Sequence, residues 1–114
     1  MRIWREYSFE AAHWLPNVPE GHKCGRMHGH SYRVEIHVTG DADEGWVCDF
    51  ADLDTAWQIL VGYLDHRCLN DVEGLQNPTS ENVARWIWMR FTGAGLSRVV
   101  VRETARSGCE YEGE

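Results

Sequence analysis

The chain reads as an α+β domain in the order ββααββ, an antiparallel sheet with two helices packed on one face. Three observations predict it. Two runs of alternating apolar and polar residues open the sequence, two stretches with helical apolar spacing fill its middle, and a β-branched run comes near its end. At 114 residues the chain is one domain, 1–114, able to bury roughly two-thirds of its unfolded surface without a metal. No repeat, linker or low-complexity segment suggests an internal boundary.

The first strand spans Arg2 to His13. Ile3, Tyr7, Phe9 and Ala11 share one face and Arg2, Glu6, Ser8 and Glu10 the other, with His13 ending the apolar face. A loop containing Pro and Gly, LPNVPEGHKCGR, leads to a second strand from His28 to Val38. Here His28, His30, Tyr32, Val34, Ile36 and Val38 alternate with Arg33, Glu35 and His37. GDADEG is a turn cluster, from which Trp46 to Cys48 is expected to return as a short strand. Asp49 is the expected N-cap of a helix carrying Phe50, Leu53, Trp57, Leu60, Val61 and Leu64. DHRCLNDVEGLQNPT reads as loop, and Thr79 or Ser80 caps a second helix with Val83, Ala84, Ile87, Trp88 and Phe91 on its apolar side. The glycines of TGAG end it. Ser97 to Thr104 is the third main strand, and Cys109 to Tyr111 closes a last hairpin. The sheet face away from the helices then carries Glu6, Glu10, Arg33, Glu35 and His37, either a solvated surface or the lining of an oligomeric barrel.

Eleven basic and 18 acidic residues give a net charge of −7, so the chain carries no electrostatic footprint for nucleic acid or an anionic membrane. MRIWREYSFEAAHWL lacks the continuous apolar core of a signal peptide, and no apolar run has the length of a membrane span. A cytosolic protein is the expectation. Cys24, Cys48, Cys68 and Cys109 are then reduced, and any that matters does so through thiol or metal chemistry.

CGRMHGH, from Cys24 to His30, concentrates the chemistry. Residues two apart on a strand point the same way, so His28 and His30 can face one ion with Cβ atoms roughly 6–7 Å apart. His13 supplies a third imidazole if the first two strands pair antiparallel. Three imidazoles suit Zn²⁺, whereas each histidine taken alone reads as an ordinary hydrogen-bonded or surface residue. Cys24 has two readings: a fourth ligand closing a structural site, or a free thiol beside an open one, where Lys23, Arg26 and the cation favour thiolate. Spacing leaves both standing. Asp65 and His66 can form a proton-transfer pair or an ordinary helix end. Glu103 is either a solvent-facing strand terminus or a carboxylate that accepts two parallel N–H bonds from a planar, guanidine-like ligand edge.

FEAAH, KCGRMHGHSY, VCDF, LDHRCLN, PTSEN and VRET, in this order from Phe9 to Thr104, resemble the 6-pyruvoyl-tetrahydropterin synthase family. Three residues between Cys24 and His28 are similar to its bacterial branch, the 6-carboxy-tetrahydropterin synthases of queuosine biosynthesis. The resemblance implies a tunnelling fold, with sheets of a trimer closing into a barrel and two trimers stacking as a homohexamer with active sites at subunit interfaces. It implies Zn²⁺ on His13, His28 and His30, Cys24 as general base, and Asp65 and His66 in a proton relay. Glu103 would anchor the pterin and is a candidate member of that relay, while Thr79, Ser80 and Glu81 lie in a segment that reaches the pterin from a neighbouring subunit. The implied reaction converts 7,8-dihydroneopterin triphosphate to 6-carboxy-5,6,7,8-tetrahydropterin, releasing acetaldehyde and triphosphate. Competing expectations are a 6-pyruvoyl product and a non-catalytic, zinc-stabilised binding module. A 6-hydroxymethyl product goes with glutamate in place of the cysteine, so Cys24 counts against it.

Overall fold

Strands β1 (Arg2–His13) and β2 (His28–Thr39) form the spine of the sheet, paired antiparallel from Arg2 opposite Thr39 to His13 opposite His28. In the computed structural model, which describes residues 1–114, helix α1 (Phe50–Val61), strand β3 (Arg67–Cys68), helix α2 (Ser80–Arg90) and strands β4 (Leu96–Thr104) and β5 (Ser107–Tyr111) follow. The sheet order is β3-β1-β2-β4-β5, antiparallel throughout except for the short β1–β3 pairing. The expected ββααββ succession holds, with one extra two-residue strand between the helices.

Both helices cover the same face. Leu53, Trp57 and Leu60 of α1 and Val83, Ala84 and Ile87 of α2 join Phe9, Tyr32, Val34, Ile36, Val99 and Val101 of the sheet in one core. Each helix starts where its capping chemistry dictates: the Asp49 carboxylate accepts from Ala51 N, and the Thr79 hydroxyl from Asn82 N. Leu64 belongs to the core but lies beyond α1, in tightened turns where Leu64 N donates to Val61 O. Between α2 and β4, Gly95 (φ +78°) sits so close to β2 that an added Cβ would be 2.7 Å from Thr39 O. Only glycine satisfies both the backbone angle and the contact.

Two local expectations are corrected. Trp46 to Cys48 forms no strand. The turn runs through Gly45 (φ +99°), whose N–H donates to Ala42 O, and the Asp49 cap follows after only three residues; Val47 and Cys48 pack on the core instead. The stretch read as loop after α1 contains β3 and a single 3-10 turn at Leu69–Asp71, anchored by fully buried Leu69 and Leu75. A two-residue strand carries no periodic signal.

The face away from the helices is a ladder of charges that neutralise one another. Arg33 donates to Glu6 at 2.7 Å, Arg102 reaches Glu6 at 3.5 Å and also binds Glu35, and Glu35 pairs with His37 at 2.9 Å. Ser31 Oγ donates to Glu10. Trp4, half exposed, lies over the His37 ring. Burial works against ionisation of Glu35, but the hydrogen bonds from His37 and Arg102 prevail and hold its carboxyl below the ordinary range.

A carboxyl depressed in the folded state stabilises fully above its unfolded value of 4.5 and loses that contribution as pH falls through the folded value. Glu35→Gln should therefore cost roughly 1.5–3 kcal/mol at pH 7, the range for a hydrogen bond to a charged group. In urea titrations the deficit should shrink below pH 4.5; an equal deficit at pH 7 and pH 3 would contradict this account.

Candidate metal centre

The β1–β2 register places His13 directly opposite His28, and His30 two residues further along β2 on the same, helix-covered face. The ligand nitrogens of the three rings lie within 4.8 Å of one another. His13 Nε2 and His28 Nε2 are 3.0 Å apart. His13 Nδ1 is 2.8 Å from Pro78 O and His28 Nδ1 is 2.7 Å from Arg26 O. A carbonyl oxygen only accepts, so each Nδ1 carries the proton and each Nε2 turns a bare lone pair toward the other. Two facing lone pairs at that distance repel unless a cation sits between them. His30 Nε2 points to the same place, buried and without a hydrogen-bond partner.

Burial is the largest influence on His13 and His30 and holds both below the ordinary imidazole range, against the raising effect of Glu103 and, for His13, of the Pro78 hydrogen bond. Neutral rings are the metal-binding form. The donor set, its tautomers and the orphaned nitrogen therefore fit a divalent ion held by three imidazoles, with the carbonyls of Pro78 and Arg26 orienting two of the ligands.

No thiol belongs to this cluster. Cys24 lies half-buried in a short 3-10 turn, Lys23–Gly25, where its N–H donates to His22 Nδ1 and its carbonyl accepts from Leu15 N. Lys23 and Arg26 flank it, both exposed. Glu103, near the end of β4, brings Oε1 to 3.4 Å from His13 Nε2 and 3.8 Å from His30 Nε2, its side chain 26% exposed.

Asp65 and His66 are not gathered into the cluster. They bond each other directly, Asp65 Oδ2 to His66 Nδ1 at 2.9 Å, although sequence neighbours seldom do. His66 reaches back because its backbone is left-handed (φ +57°), an uncommon state for a residue with a side chain. Two bonds to β1 fix that bend: Glu10 N donates to Asp65 Oδ1, and His66 N donates to Glu10 O. The first of these, then the His66 bond, holds the Asp65 carboxyl below its ordinary range. The His66 side chain is 79% exposed and lines an open cleft of about 530 Å³ with Glu10, Ala11, Ala12, Gly29, Ser31, Arg67 and the candidate ligand His30. By strand alternation that cleft lies mainly on the charged face. Thr79 caps α2, half-buried Ser80 begins it, and exposed Glu81 is in its first turn.

Three supporting residues had escaped the reading of the sequence. Tyr32 Oη lies 3.1 Å from His13 Nδ1. Pro78 contributes only a main-chain carbonyl, for which no side-chain signal exists. Asn70 clamps Trp14 at both backbone groups, accepting from Trp14 N at 3.0 Å and donating to Trp14 O at 2.8 Å, and so fixes the chain just beyond His13. Its place in LDHRCLN was the available clue.

Comparison with known proteins relates the whole chain to one family. A 6-carboxy-5,6,7,8-tetrahydropterin synthase of Synechocystis sp. is 44% identical, covering 96% of this chain and 91% of that protein. A dihydroneopterin monophosphate aldolase of Pyrococcus furiosus is 40% identical, covering 97% and 96%. The structure of Caenorhabditis elegans 6-pyruvoyl tetrahydropterin synthase superimposes with a TM-score of 0.89 at 29% identity, over 100% of this chain and 96% of that one. The family described as 6-pyruvoyl tetrahydropterin synthase matches residues 2–114, and the chain belongs to that family.

Proposed function

We propose that the protein is a cytoplasmic, zinc-dependent carbon–carbon lyase, a 6-carboxy-5,6,7,8-tetrahydropterin synthase of queuosine biosynthesis. It would convert 7,8-dihydroneopterin triphosphate and water to the 6-carboxy product, acetaldehyde and triphosphate. The observation that carries the reading is the convergence of His13, His28 and His30 with the Glu103 carboxylate at one end of the sheet. The 44% identity to a protein of that name supports the choice of product.

His13, His28 and His30 would hold Zn²⁺, which when bound would supply Lewis acidity toward the hydroxyls of the substrate side chain and toward charge developing beside the ring. Glu103 accepts the two parallel N–H donors of the 2-amino-pyrimidinone edge and fixes the ring while the side chain reacts. The Cys24 sulfur takes the side-chain proton, and His66, oriented by its bond to Asp65, returns or receives the second. Thr79, Ser80 and Glu81 border the pterin. Lys23 and Arg26, exposed beside Cys24, offer the triphosphate local cations despite the negative net charge.

A homohexamer built from trimers accounts for two features at the sheet edge. From Arg2 to Phe9, β1 has no partner strand on its outer side, because β3 pairs only with Ala11 and Ala12 and Glu10 is bonded to Asp65 and His66. An unpaired edge of that length is a template for another strand. His66 is exposed on that same side of the sheet, and serves a zinc site completed by a neighbouring copy.

Incubation of the zinc-loaded protein with dihydroneopterin triphosphate, with product identified by mass, tests the assignment: 6-carboxy-tetrahydropterin and acetaldehyde are expected, whereas a product retaining three side-chain carbons gives the 6-pyruvoyl activity. Cys24→Ala should keep its zinc and lose turnover by a factor of roughly 10² or more, the scale of a lost general base. Loss of zinc comparable to that of His28→Ala would make Cys24 a ligand instead. Glu103→Ala should weaken pterin binding and turnover together, and unchanged values of both would remove Glu103 from the site.

A further inference from the structure

Of the three candidate ligands, His13 alone is tied to the helix layer. The side chain of His13 is 1% exposed, and its single Nδ1–H lies within reach of two acceptor oxygens from different elements, the Pro78 carbonyl at 2.8 Å and, as the longer partner, the Tyr32 hydroxyl oxygen at 3.1 Å. Tyr32 is itself fully buried and stacked flat on Phe9, centroids 4.7 Å apart. Pro78 is buried and immediately precedes Thr79, the N-cap of α2. The turn is fastened on its other side by α2, since Asn82 Nδ2 and Thr79 N both donate to Asn77 O, and Asn82 N donates to Thr79 Oγ1. A displacement of the His13 ring therefore displaces a buried carbonyl that has this ring as its donor, and the first turn of α2 follows.

We infer that His13, held by Pro78 and Tyr32, couples metal binding at the histidine cluster to pterin binding at Thr79, Ser80 and Glu81, with Tyr32 as a positioning residue. The inference rests on the proposed reading of the site. Its physical basis is reciprocal: an ion at Nε2 fixes the ring and polarises Nδ1–H toward Pro78, which orders the α2 cap, and an ordered cap in turn holds the ring for the ion. Glu103 reaches both His13 and His30 but belongs to β4, so it does not supply this link to α2.

The test uses unsubstituted pterin, which lacks the side chain and so cannot reach the ion through it. Zinc loading should tighten its binding roughly fivefold or more, the lower end of ordinary coupling. It should also slow amide exchange at Asn82 and Val83, which bond to Thr79. Tyr32→Phe keeps the aromatic stack; it should lower zinc affinity roughly tenfold, measured against a chromophoric chelator, and shrink the pterin response to zinc. A merely structural tyrosine would lower the melting temperature and leave the zinc-to-metal-free ratio of pterin affinities where it was. Equal pterin affinity with and without zinc in the unaltered protein overturns the coupling while leaving the site reading intact. Zinc retained by His28→Ala, or pterin bound by neither form, overturns the site reading and the coupling with it.

Discussion

Everything at the candidate site depends on the register of β1 against β2. A strand presents alternate residues to opposite faces, so a slip of one residue would carry His13 away from the face of His28 and His30 and turn Phe9 and Ala11 out of the core. The buried face prevents it: Phe9, Tyr32, Val34 and Ile36 are almost wholly excluded from water and share that face with the imidazoles. Burial of each such side chain is worth about 1.5–3 kcal/mol. The same apolar pattern that folds the sheet thus aims the three rings at one point. The histidine cluster is an extension of the core, and this is why His13 can be the most buried of the three rings.

The two faces of the sheet solve different problems with the same strands. On the helix side, burial keeps His13 and His30 neutral and available as ligands. On the other side, Glu6, Glu35, Arg33, Arg102 and His37 satisfy one another in a chain of ion pairs. Paired charges of this kind cost little to bring together in a subunit, but each would be expensive to leave alone if a second layer excluded water. The ladder is therefore compatible with either fate of that face, open to solvent or lining a barrel, without any change in its internal bonding.

Much of the fold was legible because its signals are periodic. The twelve-residue strand β1 has the bounds that its alternation gives, and both helices begin where capping residues announce them, at Asp49 and, of the two candidates Thr79 and Ser80, at Thr79. What escaped was non-periodic: β3 is two residues long, and the stretch around Trp46 is governed by turn chemistry that leaves no room for a strand. In the site, the histidine cluster was legible because period-two spacing and antiparallel pairing are both encoded in side chains. The partners of Nδ1 were not, because Pro78 and Arg26 act through carbonyls that every residue possesses. The direct Asp65–His66 bond was illegible for another reason: it needs a left-handed backbone at His66, which the identity of the residue does not signal.

That bend also bears on where the pair can act. Its two main-chain anchors both run to Glu10, on the outer edge of β1, so Asp65 and His66 move with the sheet edge and not with the helix-covered face. The His66 ring stands in solvent beside the unpaired stretch of β1. A proton donor needs to be within about 3 Å of its target or one water away. His66 shares an open cleft with His30 but is not among the three clustered imidazoles, and its uncommon backbone is maintained by bonds to Glu10 that leave its side chain exposed. Backbone strain of this kind costs of order 1–3 kcal/mol and persists only where the surroundings enforce it. Here the surroundings are the two bonds to Glu10, so the orientation of the Asp65–His66 pair is set by β1 and not by the helix layer that packs around His13.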